Sequence, residues 1–176
     1  MRKNVRNFKI NRPNFMRLLS LIIMVSLIAP VMANAQAGKA NFSGTWALNE
    51  AKSTLGDSGG GRYGAGNLVA KQEANLLTIE RTRTNQDGET STTTMKFTLD
   101  GKESVNTNSR GESKSTAKWS ADSKSLTIVT ESTFDGNKRT STEVWSLTDA
   151  KTLSVASKRQ GRDGEEVKTT RAYDKK

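Results

Sequence analysis

The sequence predicts an all-β fold: a single antiparallel up-and-down β-barrel of eight to ten strands, preceded by a signal peptide. Three observations lead there. Apolar residues alternate with polar ones, as where Met95, Phe97 and Leu99 share one face and Lys96 and Thr98 the other. Asp-Gly pairs at 87–88, 100–101, 135–136 and 163–164 each separate two such runs, and Asp-Gly supplies the positive φ of a tight hairpin corner. No helix-period run stands between consecutive strands, so the chain reads as a meander whose open edges are removed by closure.

The chain opens with a leader, residues 1–37. Arg2, Lys3, Arg6, Lys9, Arg12 and Arg17 come without an acid, an apolar run follows from Leu18 to Met32, and two overlapping A-x-A triplets end at Ala37. That order is a secretory signal peptide, and its apolar run is short of the roughly 20 residues a bilayer span needs. Cleavage after Ala37 predicts a mature domain of residues 38–176, exported to the periplasm or the medium. No cysteine follows the small residues, which excludes a lipid anchor there.

Removing the leader changes the electrostatics. The whole chain has 28 Lys and Arg against 18 Asp and Glu; six of the basic residues and none of the acids belong to the leader, leaving +4. The remaining basic residues are interspersed with acids, so no nucleic-acid partner is expected. The absence of cysteine means that the exported domain holds together without disulfides.

The predicted strands lie near 42–48, 67–73, 75–84, 90–99, 103–109, 112–120, 124–133, 138–147, 151–159 and 165–173. Leu77 with Ile79, Leu126 with Ile128, Trp145 with Leu147, and Leu153 with Val155 mark the apolar faces, and the opposite faces are Lys, Thr, Ser and Glu. A membrane barrel requires the apolar face outward along with a lipid-facing band, so a membrane-spanning barrel is not expected. In a closed barrel the first and last strands are neighbours. Residues 50–66 begin with a predicted helical turn and continue as a flexible Gly-rich loop, which lacks the Gly-Lys-Ser/Thr ending of a phosphate-cradling loop.

The ends of the chain add a resemblance. "FSGTWALN" resembles the Gly-x-Trp first strand of the calycins, the lipocalins and fatty-acid-binding proteins, and "TTRAYDKK" resembles the Thr-Arg-x-Tyr-x-Lys last strand of the fatty-acid-binding group. "FSGTWALNEAKSTLG" is also similar to the opening of uncharacterised exported bacterial proteins with lipocalin-like folds. The resemblance implies a barrel of ten strands in which Arg171 and Tyr173 point inward and hold a ligand carboxylate, with Trp46 at the closed end. Val167, Thr169, Arg171 and Tyr173 do share one strand face by phase. No second pocket arginine stands at a matching place, and the Gly-rich stretch offers no counterpart to the helical pair that caps fatty-acid-binding barrels.

Each candidate has a structural reading beside its functional one. Trp46 is a plug or a pocket wall; Arg171 stacks on its indole or faces an anion. Trp119, Trp145 and Phe97 lie on apolar faces, as core or as ligand contacts. Thr130, Ser157 and Thr169 are small polar residues at inward positions, which leave room for a ligand or for water. Catalysis has no footing: histidine and cysteine are absent, and Ser115 and Lys118, though spaced S-x-x-K, fall on opposite faces of a strand. Glu165-Glu166 reads as solvated charge beside a turn. The expectation is a monomeric, cofactor-free and metal-free, non-enzymatic barrel binding a small apolar or carboxylated ligand. Its alternative is a ligand-free barrel acting as an envelope interaction or inhibitor protein.

Overall fold

The computed structural model describes residues 38–176 apart from 56–65, 86, 109–110, 135 and 162–163. The leader, the cleavage site and most of the Gly-rich loop lie outside the described residues. Ten strands follow in order: β1 Gly44–Thr54, β2 Leu68–Gln72, β3 Leu76–Thr84, β4 Thr90–Thr98, β5 Glu103–Asn108, β6 Gly111–Trp119, β7 Ser125–Phe134, β8 Asn137–Asp149, β9 Thr152–Gln160 and β10 Glu166–Lys175. They form one antiparallel sheet in the order β4-β3-β2-β1-β10-β9-β8-β7-β6-β5, so β1 pairs with β10 as closure requires.

The corners follow the turn chemistry in the sequence. Gly101 has φ +80°, and Asp100 accepts the Lys102 N–H at 3.1 Å, a side-chain turn within the hairpin. The same Asp-x-Lys pattern recurs at Asp122 with Lys124 and at Asp149 with Lys151, at 3.0 and 2.7 Å. Ser123, inside the second of these turns, takes φ +58° without being glycine.

Period-two alternation turns one face of every strand inward. At one end the interior is filled: Phe42, Trp46, Leu77, Leu126, Trp145 and Leu153 are fully buried. The segment before β1 seals that end. Phe42 stacks on Trp119 at 5.7 Å and meets Trp145 edge-on at 5.8 Å, while Trp46 Nε1 donates to the Phe42 carbonyl at 2.9 Å. Gln72 ties the segment down by accepting the Phe42 N–H and donating to the Ala40 carbonyl, each at 3.0 Å.

Two places depart from a regular ladder. The helical turn expected from Glu50 is instead a bulge in β1: Asn49 faces Ala172 and Thr54 faces Thr170, so the intervening β1 residues loop out. Ser53 fills the gap, donating to the Asn49 carbonyl at 2.6 Å and accepting the Ala172 N–H at 2.9 Å, bonds that a helical turn leaves unmade on β10. The second departure is the seam between β4 and β5, which share no backbone ladder. There the buried Asn106 amide accepts the Lys96 N–H at 2.7 Å and donates to the Lys96 carbonyl at 2.9 Å, and Ser104 Oγ accepts the Thr98 N–H at 2.8 Å. Side chains stand in for the missing strand pairing and bring the barrel nearly to closure.

Candidate functional site

Above the aromatic end, the inward positions change character. On β3 the apolar pair Leu77 and Ile79 gives way, in the same phase, to Arg81 and Arg83; on β8, Leu147 and Trp145 give way to Glu143 and Ser141. Arg81 and Glu143 meet inside the barrel in a two-pronged pair, Nη1 to Oε1 at 3.1 Å and Nη2 to Oε2 at 2.7 Å. Their side chains keep only 16% and 21% of their surface exposed. The Trp145 N–H donates to Glu143 Oε2 at 3.0 Å, and the Arg81 guanidinium lies 5.8 Å from the Trp145 ring centre. This tie roofs the aromatic core.

Burial alone opposes charge on both partners. Pairing outweighs it: for Glu143, desolvation is exceeded by the charge and hydrogen bonds of Arg81, the Trp145 N–H and the field of Arg171, and the carboxyl is held below its ordinary value. Arg81, penalised by burial but facing Glu143, is raised further above its already high value. Tyr173, 2% exposed, is raised first by burial, against the nearby charges of Arg81 and Arg171.

Arg171 and Tyr173 thus belong to this cluster, on the inward face of β10 that the sequence assigns them. Glu143 has its oxygens occupied by Arg81 and Trp145, and Arg171 Nε is buried without a hydrogen-bond partner. The expected contact between Arg171 and Trp46 is corrected. Trp46 sits opposite Lys175, whose Nζ lies 5.3 Å from the ring centre, and Arg171 is four residues further along β10, roughly 13 Å at strand rise. Gly44 permits this arrangement, because a Cβ there would come within 2.8 Å of the Lys175 stem. The cation over the indole of the Gly-x-Trp motif is therefore a lysine.

The other sequence-predicted site residues are brought together, in the core. Trp46, Trp145 and Phe97 are buried in one apolar cluster with Tyr173, and Trp119 packs half-buried against it. Arg81, Glu143 and Arg83 were missed as interior residues. The signal was available, since two-residue steps from Ile79 and Trp145 reach all three, but a charged residue ends an apolar pattern and hides the phase. A second interior arginine is nevertheless present: Arg81 comes from β3, away from any family-matched position, which is where the resemblance points. Ser115 is buried and Lys118 exposed, so the S-x-x-K spacing brings no pair together. Among the described residues no group of acidic side chains is placed to hold a metal, and no helix is long and apolar enough to cross a membrane.

No protein-family model and no curated protein sequence matches the chain. Solved structures do. The fluorescent protein UnaG superposes with a TM-score of 0.53 at 20% identity, covering 77% of this chain and 97% of UnaG. A variant of UnaG gives 0.51 at 22% identity, with 76% and 95% covered. The architecture, the first-to-last strand pairing and this likeness agree that the chain folds as a calycin-like β-barrel.

Proposed function

We propose that this protein is an exported carrier or receptor that binds a small ligand inside its barrel and holds an anionic group of that ligand on Arg171, beside Tyr173. The observation that carries the reading is Arg171 itself: a guanidinium at mid-barrel with a buried, unbonded Nε, next to a carboxylate already committed to Arg81. An unmade bond to a buried charged donor costs free energy that a bound oxyanion recovers. Export rests on the basic, apolar and A-x-A order of the leader.

The first form of the ligand to test is a carboxylated lipid. Laurate binding is measured by calorimetry on wild type, Arg171→Leu and Trp119→Phe. Losing a charge-assisted hydrogen bond weakens binding by roughly ten- to a hundred-fold. Trp119→Phe is a suitable control because Trp119 Nε1 makes no hydrogen bond that the change would remove. Unchanged affinity in a folded Arg171→Leu protein for every anion that the wild type binds ends the reading. The packed aromatic end favours the alternative, a ligand-free barrel that works through its surface. Native mass spectrometry of the protein from its own host separates the two, a retained ligand appearing as added mass.

A further inference from the structure

We infer that the ligand is hydrophilic and carries two or more anionic groups, a hydroxyl-bearing phosphate ester or polycarboxylate in place of a fatty acid. This rests on the barrel interior being the binding site and names the chemistry that fits it. Two patterns support it. The first is a sorting of the basic residues: all five described arginines, Arg81, Arg83, Arg139, Arg159 and Arg171, occupy inward positions, whereas Lys96, Lys114, Lys118, Lys158 and Lys168 face outward from their strands; Lys175, which covers Trp46 at the aromatic end, is the exception on β10. Charge for solubility alone has no reason to separate the two types. A guanidinium offers a rigid fork to an oxyanion, which an ammonium does not. Glu143 is the one acid at a described inward position of β3 to β10, and Arg81 takes it.

The second pattern is the wall. At and beyond the level of the Arg81–Glu143 tie most of the uncharged inward positions are hydroxylic, with Thr93, Ser115, Thr130, Ser141, Ser157 and Thr169 on six different strands, and Val167 on β10 is an apolar exception. The large apolar side chains are below the tie, packed against one another. An alkyl chain entering from the hydroxylic side would meet donors and acceptors it cannot satisfy, whereas a polyhydroxylated molecule can pair with them.

Cationic groups stand at two depths. A pocket of about 170 Å³ at the Arg139 and Arg159 ends of β8 and β9 is lined by these two arginines with Ser132 and Ser141 of the inward phase and Thr140 and Gln160 of the outward one. Arg159 pairs across the sheet with Val167, four residues from Arg171, so the two levels are separated by roughly 13 Å along β10. Arg83 and Arg139 are engaged within the protein, and the argument therefore stands on Arg171 and the exposed Arg159.

Calorimetry at fixed low salt with fructose 1,6-bisphosphate, citrate, inorganic phosphate and laurate tests this. The expected result is one-to-one binding of the bisphosphate or citrate, tighter than inorganic phosphate and laurate, and the tighter of the two tells the phosphate from the carboxylate source. Arg171→Gln and Arg159→Gln each weaken it, the former about tenfold or more, and outward Lys114→Gln leaves it unchanged. Arg159 is exposed, so its variant folds even if Arg171→Gln does not. Laurate binding that Arg171→Leu weakens, with no binding of bisphosphate or citrate, overturns the hydrophilic assignment and leaves the carrier function standing. Polyanion binding that Lys114→Gln weakens as much as Arg159→Gln overturns it too, as surface attraction. Binding of none of the four overturns both.

Discussion

Glu143 concentrates most of the barrel's electrostatic risk in one side chain. Its folded pKa lies below the unfolded value of about 4.3, so its contribution to stability is full above that pH and is lost as the pH falls through the folded value. Glu143→Gln strands Arg81 without its counter-charge and is expected to cost about 3 kcal/mol at pH 7. Urea unfolding of wild type and variant at pH 7 and again below pH 4 should show that gap narrowing in acid. A gap independent of pH would mean that the pair contributes packing only. Ser123 carries the opposite kind of liability, a left-handed backbone on a residue with a Cβ. Ser123→Gly is expected to raise stability by up to about 1 kcal/mol in the same assay, since its backbone N–H bond to Ser120 is kept.

At the level of strands, the β4–β5 seam is a place where two amides and a carbonyl of one strand depend on two side chains of the next. Asn106→Ala removes both bonds to Lys96 and is expected to destabilise by about 2 kcal/mol and to speed amide exchange at Lys96 and Thr98, whereas exposed Thr107→Ala stays within about 0.5 kcal/mol. Unaltered exchange at Lys96 would show that the seam is held by other means. This seam was illegible in the sequence: within the predicted strand 103–109, Asn106 and Ser104 look like any other polar residues until β4 is known to lie beside them. The strands were legible because Leu126, Ile128, Leu153 and Val155 each report the phase of their own strand. Bulge and charged interior were not, for the same reason in two forms. Asn49 and Ser53 act on β10, and Arg81 acts on Glu143 across the barrel, so their roles depend on partners 62 to 125 residues away.

For the whole molecule, the leader predicts that intact-mass analysis of the exported protein finds a chain starting at Gly38; a start at Met1 would refute export by this route. Such a chain keeps only four residues ahead of Phe42, the ring wedged between Trp119 and Trp145. The pairing of β1 with β10 has a further consequence, in time. During synthesis or passage through a membrane the amino end appears first, yet its partner strand is the last to emerge. Until then β1 has β2 alone, joined through three residue pairs, and Arg171 and Tyr173 are themselves missing from the interior. The barrel thus cannot close until the whole domain has emerged, and removing β10 should leave no smaller barrel behind.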